Sequence, residues 1–310
     1  MSASLHIAQP MAAPAARHGF WHDVLKARWA YVFISPFYIL FAIFTLYPVL
    51  FSIYLSTTSW KGLGPIRSVG LANYQLLLGD RVFWQSMLNG VILFFMYVPI
   101  MTFLALALAV VLNSKRVRGF RFFRTLIFLP YITNIVAAGY TFRLMLNQKY
   151  GLFNAVLAPL GIAAIPWLED IWWALVSLSL LIIWAWLGYN MVLMLAGLQT
   201  IPGELSEAAL IDGASPRQAF FYITIPLMRP MILFSVVLST MGSFNLFGEN
   251  YILTNGGGPM NATITPIIAI FNQAFADFRL GYASALAYVY FAMIFVLTLL
   301  QVRYFGRRQD

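Results

Sequence analysis

Six long stretches of this chain carry no charged side chain: 30–60, 82–114, 125–142, 171–203, 230–248 and 280–302. All six are rich in Leu, Ile, Val and Phe. A helix rises 1.5 Å per residue, so about 20 apolar residues cross the hydrocarbon core of a bilayer. A water-soluble chain cannot hide that many apolar runs, because roughly half of any folded surface still faces water. Only 9% of the residues are Asp, Glu, Lys or Arg, against about a quarter in soluble domains. The expectation is an all-α integral membrane protein with six transmembrane helices, approximately 30–55, 87–112, 125–146, 171–196, 227–247 and 284–302. Two other uncharged intervals do not qualify. Residues 150–168 are broken by Gly151, Pro159, Gly161 and Pro166. Residues 250–276 contain Thr254-Asn255-Gly256-Gly257-Gly258-Pro259 and read as a loop with a short interfacial helix near 265–275.

The 19 basic residues orient these spans. With the N-terminus in the cytoplasm, 13 lie on the cytoplasmic side: Arg17, Lys26, Arg28, Lys115, Arg116, Arg118, Arg121, Arg124, Arg217, Arg229, Arg303, Arg307 and Arg308. Five lie outside: Lys61, Arg67, Arg81, Lys149 and Arg279. Positive charge therefore favours an N-in, C-in topology. Arg143 falls near the end of the third span, where its head group is expected to snorkel to the interface. The first 20 residues are rich in Ala, Pro and Ser, so residues 1–29 are expected to be a disordered cytoplasmic tail preceding a membrane domain over 30–310. The basic run from Lys115 to Arg121 suits anionic lipid headgroups, not nucleic acid. Trp29, Tyr31, Trp60, Trp84, Trp172 and Trp173, near span ends, suit the aromatic belt of the bilayer interface.

Much chemistry is missing. The three histidines, His6, His18 and His22, all sit in the tail, and there is no cysteine. No metal site and no catalytic residue is assigned. None of the ten acids is placed mid-span; Asp80, Glu169, Asp170, Glu249 and Asp277 fall in outer loops or at span ends. An ion-coupled pump usually carries ionisable groups at membrane depth. Residues 30–147 and 171–303 show no self-similarity of the kind common in secondary transporters. There is no G-x-x-x-x-G-K-[ST] loop, so no nucleotide is held that way. The chain is expected to bind no cofactor, and its energy source must lie outside it.

Polar residues concentrate in one cytoplasmic loop, 197–226, between the fourth and fifth spans. Pro202, Glu204 and Glu207 are helix-start residues and Gly213 is a helix stop. Ser215-Pro216 then reads as an N-cap and first-position proline. The expected structure is a short helix, a tight turn and a second helix entering the membrane. Leu205, Ala208, Ala209 and Asp212 share one helical face, with small alanines that let another surface approach and Glu207 beside them as a charged acceptor. The same pattern suits a helix lying on the membrane surface.

Within this loop, Glu207-Ala208-Ala209, Gly213, Ile223 and Ile225-Pro226 resemble the EAA-x3-G-x9-I-x-L-P signature of permease subunits of binding-protein-dependent ABC importers. The one departure is Ile225 in place of Leu. Tyr47-Pro48, Asn73-Tyr74, Phe128-Leu129-Pro130 and the segment Leu253 to Pro259 are similar to the carbohydrate-uptake branch, which includes maltose-, lactose- and glycerol-phosphate-type permeases. The resemblance covers about residues 30–305. It implies the type I importer fold, with the loop helix docked in a cleft of a cytoplasmic ATPase. Glu207 would make the polar contact there, Ala208 and Ala209 would pack, and Gly213 would permit the turn, with Asp212, Ile223 and Pro226 completing the motif region. It also implies a homologous second permease, two ATPase copies holding ATP and Mg, an extracytoplasmic solute-binding protein, and a place in the bacterial inner membrane.

For solute, Trp186, Tyr189 and Asn190 share one face of the fourth span. Ser239, Gly242 and Ser243 repeat the spacing in the fifth, with Asn245 near. Aromatic rings with hydroxyl and amide groups suit a neutral sugar; small and polar residues also serve as glue between membrane helices. The Gly256–Pro259 loop is a candidate for meeting the binding protein or for gating, and equally for a structural turn.

Overall fold

The computed structural model describes residues 28–114 and 119–306. Residues 1–27 of the expected tail, its three histidines, Lys115, Arg116, Arg118, Arg307 and Arg308 lie outside the described residues. Arg28 and Trp29 are not tail but the first residues of a helix. Five described helices are long and apolar enough to cross a bilayer, and a bent pair of shorter ones makes up to six when it is taken as one span.

The chain divides into two compact units, one ending at Ser52 and the other beginning at Ile53. Helix α1, Arg28–Ser56, runs from the first into the second. In the first unit its side chains are exposed nearly all round, Phe33 at 82% and Phe44 at 72%. A helix apolar on every side is suited to lipid or to another membrane chain. A π-helical turn at Ala42–Leu46 precedes Pro48, which has no N–H to give the helical ladder.

In the second unit a two-residue ribbon, β1 (Thr58–Ser59) and β2 (Arg67–Ser68), and the short helix α2 (Ala72–Leu78) lead to the long helix α3, Arg81–Asn113. Buried Asn73 donates to the carbonyls of Ser56 and Thr58 at 2.8 and 2.9 Å, which ties α2 to the end of α1. Helix α3 begins six residues before the apolar pattern suggests. Asp80 caps it, accepting from the N–H groups of Val82 and Phe83, and its other oxygen accepts from Tyr282 at 2.6 Å. One carboxylate thus starts α3 and fastens it to α12 (Leu280–Gly306). Loss of the cap costs about 1 kcal/mol and loss of the charged hydrogen bond about 2 kcal/mol. Asp80→Ala should therefore lower the thermal midpoint by several degrees and Tyr282→Phe by less, read from tryptophan fluorescence on heating; equal midpoints for all three proteins would refute this reading.

Helix α3 packs along α7, Ile171–Gln199, and this pair forms the centre of the unit. Leu93, Tyr97, Val98 and Met101 meet Leu175, Leu178, Leu181 and Ile182 toward one end. Ala105 and Ala109 meet Met191, Met194 and Leu195 toward the other. Phe83, Met87 and Phe244 pack with Tyr282, Leu286 and Tyr290 of α12.

The third span is not the single helix expected over 125–146. It consists of α4, Phe120–Ile132, and α5, Ile135–Met145, meeting at 92°. Pro130 removes a donor near the end of α4, Thr133 is extended, and Asn134 starts α5 by accepting from the N–H groups of Val136 and Ala137. α6 (Leu152–Leu157) lies in the interval rejected as a span. The interval 250–276 holds more helix than a loop: α10, Gly248–Thr254, and α11, Pro266–Ala276. Between α7 and α10 lie α8, Gly203–Ile211, and α9, Pro216–Asn245. α9 starts eleven residues before the expected 227, because Ser215 and Gln218 form a reciprocal capping box and a π turn at Phe220–Thr224 carries the helix through Pro226. The second helix of the loop and the fifth span are therefore one rod.

Candidate functional site

Residues beside two helix breaks line one cavity. The first is the bend after α4, which leaves Tyr131 at the cavity wall. The second lies at Leu246 and Phe247, between α9 and α10, which leaves Asn245 and Glu249 there. Irregular backbone in a membrane chain is tolerated where it lines a cavity or is buried in protein. The Leu246 carbonyl freed by the second break accepts from buried Thr265.

The cavity has a volume of about 340 Å³ and is walled by α3, α4, α7, α9 and α10. Three aromatic rings form one side. Tyr131 stacks on Tyr189 at 5.0 Å and 24°, and meets Trp186 edge-on at 5.3 Å and 68°. Polar groups share the lining. Asn245 accepts from Tyr290 and donates to the Met241 carbonyl, while Trp186 Nε1 donates to Glu249 at 3.3 Å. Tyr97 donates to the Ser239 carbonyl at 2.9 Å, which holds its hydroxyl beside Gly242 in the cavity wall.

Of the residues singled out from sequence for the solute, Trp186, Tyr189, Asn190, Ser239, Gly242 and Asn245 line this cavity. Ser243 does not: it is fully buried and donates to the Thr240 carbonyl at 2.7 Å. Asn190 borders the cavity with its amide engaged, accepting from Ser235 at 2.6 Å and donating to the Trp186 carbonyl. Tyr97, Met101, Tyr131 and Glu249 line the cavity and were not singled out. Glu249 stands right after the uncharged run 230–248, so it was assigned to an outer loop or span end; the break at 246–247 turns it back to the cavity. Arg143 also differs from expectation. It does not snorkel but donates to Asn255 Oδ1 at 2.7 Å and to the Ile252 carbonyl at 3.4 Å, tying α5 to the end of α10. Arg143, Glu169 and the Gly256–Gly258 turn border a second, more polar cavity of about 500 Å³. The turn is held from beneath: Gln85 and Asn89 of α3 donate to carbonyls of Met260, Asn261 and Ile264, and buried Asn250 donates to the Thr263 carbonyl.

The polar loop forms a second place of interest. α8 has no buried residue; only Ser206 and Ala209 turn partly inward, while Leu205, Glu207 and Ala208 are exposed. Gly213 takes φ +87°, with open space around its Cα, and the chain reverses there into Ser215 and α9. Ala209, Asp212 and Gly213 of the turn and Ile223 of α9 border one shallow recess. Pro226 lies in the first turn after the π segment of α9.

Residues 76–310 match the family described as the binding-protein-dependent transport system inner membrane component. The chain is 40% identical over 275 residues to the lactose transport system permease protein LacF of Rhizobium radiobacter, covering 87% of this chain and 92% of that one. It is 32% identical over 295 residues to the arabinooligosaccharides transport system permease protein AraP of Bacillus subtilis, with 94% of each chain covered. It is 33% identical over 287 residues to the trehalose/maltose transport system permease protein MalF of Thermococcus litoralis, covering 92% and 96%. In fold it is similar to a chain of a bacterial ABC transporter involved in the import of alginate, with a TM-score of 0.80 at 21% identity over 94% of this chain and 99% of that one. A further crystal structure, the alginate transporter in complex with an alginate pentasaccharide-bound periplasmic protein, gives a TM-score of 0.77 at 20% identity, covering 92% of this chain and 96% of that one. The chain is a multi-pass inner-membrane protein and belongs to the family of inner membrane components of binding-protein-dependent transport systems.

Proposed function

We propose that this chain is the non-catalytic permease subunit of an ATP-driven importer and that its central cavity is the station where a sugar rests between the two sides of the membrane. One observation carries the reading: the clustered rings of Tyr131, Tyr189 and Trp186 share the lining of one cavity with amide and carboxylate groups, at the edge of two helix breaks. Rings offer apolar faces to the C–H faces of a pyranose, while polar groups in the same lining bind its hydroxyls. The named relatives, permeases for lactose, arabinooligosaccharides and trehalose/maltose, support a carbohydrate.

The assembly comprises this chain, a homologous second permease, two ATPase subunits that hold ATP and Mg, and an extracytoplasmic binding protein; this chain binds no cofactor. α8 docks in the ATPase through Glu207, Ala208 and Ala209. The continuous rod of α9 supports a mechanical route, because a push on α8 passes through the Gly213 turn and the Ser215 cap into the helix that ends at Asn245 in the cavity wall. Closure of the ATPases would thus rock the cavity between inward and outward access.

The test is uptake of labelled lactose or maltose by the complete transporter in proteoliposomes, at saturating binding protein. Tyr189→Ala should raise the half-saturating sugar concentration about tenfold, equivalent to about 1.4 kcal/mol. Ser243→Ala, outside the cavity, should stay within about twofold of wild type. An unchanged Tyr189→Ala transporter would assign these rings to helix packing.

A further inference from the structure

Glu249 is the one charged residue in the wall of the central cavity; no Lys, Arg or His lines it among the described residues. The remaining wall is aromatic, aliphatic, amide or hydroxyl. A carboxylate has about four lone-pair positions, and the Trp186 indole takes one of them. The others face a space with largely apolar walls, where water screens charge less than in bulk and a unit charge acts more strongly. Packing does not explain the placement: Glu249 is only half-buried and takes part in no ion pair among the described residues. The backbone break at 246–247 is what turns it inward.

We infer that Glu249 is a charge filter for the solute, passing neutral and amino sugars and refusing sugars that carry a carboxylate, sulfonate or phosphate. The inference rests on the cavity being the solute site. A sugar hydroxyl donates to the carboxylate, and an ammonium group pairs with it more strongly. An anionic sugar would bring a second negative charge into the same poorly screened space, with no cation in the wall to offset it. The binding protein can choose among solutes that reach it; the filter acts afterwards and independently, at the translocation step.

The experiment uses the purified complete transporter without its binding protein, so that only the cavity selects. Saturation-transfer NMR would be recorded with three disaccharides: lactose, the glucosamine dimer and digalacturonate. Wild type should bind lactose and the glucosamine dimer, with digalacturonate weaker by about tenfold or more. Glu249→Gln keeps the size and one acceptor but loses the charged one, so lactose should bind about threefold to tenfold more weakly, the preference for the amino sugar over lactose should vanish, and digalacturonate should gain about tenfold relative to lactose. If lactose binds in a Tyr189-dependent way but Glu249→Gln leaves the ranking of the three sugars unchanged, the filter is wrong and the solute site stands. If no sugar binds to wild type, or binding is indifferent to Tyr189→Ala, the solute site itself is wrong and the filter falls with it.

Discussion

Glu207→Lys and Gly213→Asp should each abolish ATP-coupled uptake while leaving the chain inserted and folded. Glu207 is exposed on a helix with no buried residue, and it makes no hydrogen bond to another described residue. Reversing its charge therefore removes nothing from this chain's own stability, since exposed substitutions change it by roughly 0.5 kcal/mol or less. What it reverses is the sign presented to the docking partner. Gly213 adopts φ +87° with no heavy atom within 4 Å of an added Cβ. Asp tolerates that left-handed region better than most residues, at a cost of about 1 kcal/mol, so the turn survives. It gains a second carboxylate next to Asp212, at the rim of the recess between α8 and α9. Membrane insertion and thermal midpoint should stay near wild type in both variants, while sugar-stimulated ATP hydrolysis and uptake fall by about tenfold or more. Copurification with the ATPase should fall in parallel. Normal copurification with normal transport in either variant would remove α8 from the coupling route.

The division between what could be read from residues and what could not follows a physical line. Apolar runs bounded by charge report solvent, so five spans fall where uncharged intervals put them, and helix starts at Asp80 and Ser215 extend beyond the apolar pattern because caps, not hydropathy, set them. The turn at Gly213 was legible because a left-handed residue has a chemical signature. The break at Thr133 and Asn134 was not, although Pro130 was in view. A proline can kink, end or leave a helix nearly straight, and the outcome depends on which neighbours satisfy the freed groups. The cavity suffered for the same reason. Helical spacing brought together Trp186, Tyr189 and Asn190, which lie on one helix. It could not bring in Tyr131, Tyr97 or Glu249, because those come from three other helices, and Glu249 reaches the wall only after the break at 246–247. Ser243 shows the converse: spacing put it on the face of Ser239, yet the packing of Phe244 against α3 and α12 carries that end of the face into the core.

Gly188→Val should severely damage folding. Gly188 is buried in α7 where α4 crosses it, and a Cβ there would overlap the carbonyl oxygen of Ile127 and lie 2.7 Å from the Cα of Phe128. Both are backbone atoms of a helix, so no rotamer change relieves the contact and α4 must move bodily. Small residues that let helix backbones touch are a leading source of cohesion inside membranes, where lipid is as apolar as the protein. Overpacking a side-chain core costs about 1–3 kcal/mol; displacing a helix backbone lies at or beyond the top of that range. The site suffers in addition, because α4 carries Tyr131, and Tyr189 is the next residue after the glycine. Separating the helices opens the 5.0 Å stack that forms the aromatic wall. Gly188→Ala should show the same defect in milder form, with a thermal midpoint several degrees below wild type and a raised half-saturating sugar concentration. Gly79→Ala provides the reference: its Cβ would find the Leu76 carbonyl at 3.7 Å, an ordinary contact, at a non-strained φ of −93°. That variant should unfold within a degree or two of wild type. A Gly188→Val chain that purified, unfolded and transported like Gly79→Ala would mean that α4 and α7 do not meet backbone to backbone in the membrane.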